Sequence, residues 1–407
     1  MSETPKKTEN KIIRKQVIPV TVSKSPENDE YRKKLASHKK KNLIRTLVFL
    51  LIIVAIAAAV VIFIQRRTYH NYKVLSSSEQ EDTSSTKYIE LGNNILRYRG
   101  DGATLVDKEQ QKLWEIDYEM QNPIVDVCDG TAVIADQEGT SMVIVNEGGQ
   151  TGSVTASYNI VKVRVASQGV VAAILDGGED TWINFYATDG SMIAENQTRV
   201  DDPGYPLDLA VSTDGNLIMV AYQFVEGGQT KSYVAFYNFG TVGQNQVDNI
   251  VSGYTYENVV VPQVAYLDSD TAVAFRDDGF SIYKGQQIPK EETNIEVEEE
   301  IVSTFYDEDN IGLVFKADEE SEYRMEVYST SGRKKFERNF NIAYTNIRMS
   351  NGYIVMNNAS QVCVITNQGA LRFNGVIDEG AINDFFKVGY NRYMLILDTG
   401  IELIKFS

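Results

Sequence analysis

Carboxylates are the side chains most able to do chemistry in this sequence, 56 Asp and Glu in all. Two of them facing each other across a cleft would suffice for glycoside cleavage, one as acid and the other as base or nucleophile. Little else is on offer. His38 and His70 are the two histidines, and none follows residue 70. That absence removes Ser-His-Asp and Cys-His relays, and any His-ligated zinc, from the bulk of the chain. Cys128 and Cys363 fall in distant repeats of the pattern described below, so free buried thiols are expected. The acidic stretches at 176–180 (DGGED) and 307–310 (DEDN) lack the twelve-residue spacing of a calcium loop and read as hairpin tips. Residues 291–300 (EETNIEVEEE) read as an acidic connection. No catalytic residue, metal or cofactor is assigned.

Tyrosines supply the one pattern that suits binding. Tyr118, Tyr158, Tyr205, Tyr254 with Tyr256, and Tyr344 recur just ahead of predicted inner strands. Gathered on one face, such rings would stack on sugars or grip a peptide. The competing expectation is that each is a wedge between neighbouring elements.

The elements that must carry these residues begin at residue 88. Short alternating runs separated by Gly, Asp and Asn give the strand-and-turn signature. One unit, a strand closing on a Gly turn, reads MVIVNEGG at 142–149, INFYATDG at 183–190, VAFYNFG at 234–240, SIYKG at 281–285, MEVYSTSG at 325–332 and VCVITNQG at 362–369. Two further strands precede each turn and another follows it, as in SMIAE at 191–195 and KKFER at 334–338. A four-stranded unit repeating every 40–50 residues is the β-propeller pattern. The fold expected for 88–407 is therefore all-β, a propeller of seven or eight four-stranded blades. The last repeat has only three strands, and Tyr88–Leu91 is the candidate for the strand that completes it.

Ahead of the repeats, 47–64 is an unbroken apolar run of 18 residues, LVFLLIIVAIAAAVVIFI. At 1.5 Å per residue it matches a bilayer core, and it has no polar stripe that would place it in a protein interior. A transmembrane helix is expected over 43–66, a disordered basic tail over 1–42, and a Ser/Thr-rich linker over 67–87. Residues 1–46 carry 13 Lys and Arg against 5 Asp and Glu, and the remainder 26 against 51. Basic residues before the run outnumber those after it, which puts the N-terminus in the cytoplasm and the acidic body outside. A body with a net charge of −25 repels phosphates, so nucleic acid is not an expected partner.

The repeats resemble quinoprotein-type and WD-like propellers, most closely in ATLVDKEQQKLWEI at 103–116, where Glu109-Gln110 stands in place of Thr-Gly. The whole layout of basic tail, single helix, Ser-rich spacer and propeller resembles an uncharacterised family of membrane-anchored proteins from clostridial-type Gram-positive bacteria. That resemblance brings no catalytic motif. The expected role is a membrane-anchored extracytoplasmic module that binds an envelope protein or a wall polymer. The alternatives are a carbohydrate-active enzyme using a carboxylate pair and a transmembrane sensor.

Overall fold

The computed structural model describes residues 26–79, 85–199, 203–317 and 321–407. The chain divides into two units, 1–65 and 66–407. A helix runs from Pro26 to Arg66, so helical structure begins well before residue 43. The expected tail at 1–25 lies outside the described residues. Leu47 to Val54, with Ile56, are all at least half exposed on that helix. Among the described residues no helix is long and apolar enough to cross a membrane. The side chains of 58 and 60–66, which complete the apolar run in sequence, lie outside that description. The span thus rests on the sequence alone.

The second unit is eight four-stranded antiparallel sheets. Seven are contiguous in the chain: blade 1 over 87–117, blade 2 over 123–155, blade 3 over 159–198, blade 4 over 205–257, blade 5 over 263–296, blade 6 over 301–340 and blade 7 over 346–376. Blade 8 takes three strands from 382–406 and its outermost from Tyr72–Glu79, which pairs antiparallel with Gly400–Phe406. Two expectations are corrected here. Tyr88–Leu91 lies within the inner strand of blade 1, and the closing strand comes from the stretch assigned to the linker. Residues 290–296 likewise form the outer strand of blade 5 and not a connection.

Burial explains the pattern within each blade. Second strands such as Thr131–Asp136 and Thr271–Arg276 are buried at every residue, because both sheet faces pack against neighbouring blades. Outer strands such as Lys334–Phe340 alternate exposed and half-buried, as an edge facing water requires. Eight apolar clusters fill the spaces, most joining successive blades. Turn glycines serve the same packing. Gly190 has φ of 89°, and a side chain there would strike the Ser153 carbonyl on blade 2's outer strand.

Candidate functional site: the connection face of blades 3 and 4

Strand direction puts the links between blades, and the turns between second and third strands, on one face of the ring. Of the six singled-out tyrosines, Tyr158 and Tyr205 are open to solvent on this face, 36% and 41% exposed. Tyr158 lies flat against Trp182 at the start of blade 3's third strand, 5.6 Å between ring centroids. Tyr205 begins blade 4's inner strand, paired with Gln223. Beyond Gln223 the blade 4 hairpin continues to a Gly227-Gly228 tip, and its two strands of ten residues exceed every other strand of the propeller. Val225, near that tip, is 71% exposed.

The other four tyrosines are committed to packing. Tyr118 joins the core between blades 1 and 2. Tyr344 packs on Tyr323 and Phe340, and its hydroxyl donates to Ser303 at 2.8 Å. Tyr254 and Tyr256 belong to blade 4's outer strand, not to the link after it. Tyr254 lies edge-on to Phe236, and its hydroxyl donates to the Pro289 carbonyl on blade 5. The Tyr256 hydroxyl bonds Ser281, Tyr283 and Glu291, and burial pushes its pKa up to about 12. The six therefore form no ring. Two face solvent side by side in the blade order, and four close seams between blades.

Sequence reasoning passed over two sets of residues. The first is a file of wedges at one position of the third strand: Tyr186, Tyr237, Tyr283 and Tyr328. Each packs toward the preceding blade and sits at a bulge in the pairing with the outer strand. Their signal was the repeated aromatic before the Gly turn.

The second set is a belt of ions near the axis, built from inner strands. Asp126 of blade 2 accepts from the Val165 amide of blade 3 at 2.8 Å and lies 3.7 Å from Arg164. Asp208 of blade 4 accepts from the Val264 amide of blade 5 at 2.9 Å and pairs with Lys162 at 2.9 Å and Arg164 at 3.2 Å. Thr304 donates to Gln263 between blades 6 and 5, Arg348 pairs with Asp384 between blades 7 and 8, and Ser350 donates to Glu90 of blade 1. Burial raises the pKa of Asp126 and of Glu90. Tyr306 of blade 6, pushed up to about 12 by burial, feels Arg164, Asp126 and Asp208. Asp126, Asp208 and Asp384 are engaged by cations or amides of a neighbouring blade and Glu90 by a hydroxyl, so the belt joins blades together. Its signal was an Asp at the same place in IVDVC, PLDLA and INDFF.

Neither cysteine is bridged. Burial pushes Cys128 and Cys363 each up to about 12, which keeps both as thiols at neutral pH. Among the described residues no group of His, Cys, Asp and Glu is placed to hold a metal. The acidic tips serve their own turns: Asp307 accepts from the Asp309 amide and Asp176 from the Gly178 amide.

Residues 65–406 match a family described as a family of unknown function (DUF5711). No curated protein matches the sequence. Among solved structures, BamB from Moraxella catarrhalis is similar at 12% identity and a TM-score of 0.51, over 83% of this chain and all of that one. Sqt1 from Chaetomium thermophilum is similar at 10% identity and a TM-score of 0.52, over 84% of this chain and 98% of that one. At such identities the likeness is one of fold.

Proposed function

The chain belongs to this family of unknown function, and we propose from its own site that it is a membrane-anchored propeller that docks an envelope protein on the connection face of blades 3 and 4. The observation carrying this reading is the run of exposed Tyr158, Tyr205 and Val225 on a rigid face, where side chains of this kind have no task in the core. Tyrosine is favoured at such contacts because it brings a large amphipathic ring at little entropic cost. The blade 4 hairpin extends the area available to a partner.

Anchoring is supported by the 18-residue apolar run and by the exposure of its first half on a helix. Water is a poor solvent for that surface, and lipid is a good one. The basic residues ahead of the run and the acidic body after it favour a cytoplasmic tail and an outward-facing propeller.

Photo-crosslinking in cells tests the docking face. A benzophenone side chain at 205 or 158 is expected to capture a discrete protein adduct. The same probe at 390, a residue 71% exposed on the opposite-face turn of blade 8, is expected to capture none. Adducts from 390 alone, or none from 205 and 158, would overturn the assignment.

A further inference from the structure

Between blades 3 and 4, toward the outer rim, lies a cleft of about 390 Å³. Its volume falls in the usual range for small-ligand sites, about 300–1,000 Å³. One wall is the face of the long blade 4 hairpin, with Phe224 and Tyr233 near its tip and Tyr237 near its base. The wall is held stiffly. Tyr233 stacks on Tyr222 with 6.3 Å between centroids, and the Tyr222 and Tyr237 hydroxyls share a hydrogen bond of 2.6 Å. The opposite wall is the end of blade 3's outer strand, Asn196, Gln197 and Thr198, and Asp248 with Ile250 completes the base.

The chemistry of these walls is selective. Among the described residues the lining contains no Lys, Arg or His and a single carboxylate, so these offer nothing to neutralise an anion. Aromatic faces on one side and amide, hydroxyl and carboxylate groups on the other match a ring that has an apolar C–H face and a rim of hydroxyls. The geometry points to a second binding site, beside the protein-docking face, that takes a neutral saccharide: the sugar ring lies against Phe224 and Tyr233, and its hydroxyls bond Asn196 and Asp248. The acidic body reinforces the preference, since it repels polyanionic chains.

The test is saturation-transfer NMR followed by calorimetry on the full chain in lipid nanodiscs. The probes are N,N′-diacetylchitobiose, cellobiose and maltose as neutral sugars, a hexaglucuronate as an anionic one, and a Pro- and Tyr-containing decapeptide. At least one neutral disaccharide is expected to bind, with the hexaglucuronate at least tenfold weaker. Phe224→Ala and Asn196→Ala are each expected to weaken the neutral sugar at least tenfold, and Tyr205→Ala to leave it unchanged. Asn196 is only half-buried on an outer strand, so its variant reports on the site even where Phe224→Ala lowers the melting temperature. Binding of none of the three sugars overturns the inference. Preference for the hexaglucuronate, or a peptide that displaces the sugar, overturns it as well. A failed crosslink at 205 with intact sugar binding would remove the docking proposal and leave this one standing.

Discussion

Tyr205 and Tyr344 are both tyrosines in the approach to an inner strand, yet truncating them should have opposite consequences. Tyr344 is packed against Tyr323 and Phe340, so Tyr344→Ala opens a cavity and is expected to cost about 3–5 kcal/mol. Tyr256→Ala should cost a similar amount, since it also strips partners from Ser281 and Tyr283. Tyr205→Ala is expected to stay within about 0.5 kcal/mol of the parent. Denaturant melts of the three variants check this, and a large loss at Tyr205 would place it among the wedges. The ion belt gives a pH signature. Burial raises the pKa of Asp126 above the unfolded value of about 3.9. A carboxyl that holds its proton more tightly when folded stabilises most below that unfolded value, and the contribution is lost as pH rises through the folded one. Asp126→Asn keeps an oxygen for the Val165 amide and removes the titration, so its stability should fall less than the parent's between pH 4 and 8. Parallel profiles would contradict the burial argument. At this scale the sequence was partly legible. The tyrosines were visible as a set, but burial decides between binder and wedge, and burial depends on the neighbouring blade. The belt was harder to see, because one Asp in an inner strand reads like any turn-flanking acid until Arg164 and Lys162 are brought beside it by the fold.

The closing strand Tyr72–Glu79 is the element on which the ring depends. Its pairing runs from Tyr72 with Phe406 to Glu79 with Gly400, and Tyr69 is bonded to the Arg372 carbonyl just ahead of it. Aromatic packing fixes the same corner: Phe406 stacks on Phe373 with 4.0 Å between centroids and on Tyr393 with 4.2 Å. A chain beginning at residue 67 should therefore melt like the full chain. One beginning at 85 loses the outer strand of blade 8 and exposes its third strand as a raw edge. The expected loss is about 10 °C in melting temperature, or failure to accumulate folded protein. Equal melting temperatures would show that the ring does not need this strand. YKVLSSSE reads as a linker because four of its eight residues are Ser or Glu, and only pairing with a segment more than 300 residues away makes it a strand. The other strands were legible because hydrophobic alternation and Gly turns are local signals. The six Gly-turn units read between 142 and 369 each fall on the third strand of a blade and the turn after it. The outer strand Lys290–Glu296 escaped because its charges are what an exposed edge carries.

The whole molecule carries a basic N-terminal region and an apolar helix in one chain with an acidic eight-bladed ring. The blade count follows from the borrowed strand, which turns the three-stranded last repeat into a full blade. Every functional proposal presupposes that the propeller stands outside the cell. The direct measurement is protease treatment of intact, wall-free cells producing the full chain, with tags at residue 1 and residue 407. The account predicts that the C-terminal tag is digested while the N-terminal tag survives on a membrane-bound fragment, and that both are digested once the cells are lysed. Survival of the C-terminal tag in intact cells, or recovery of the whole chain in the soluble fraction, would contradict it.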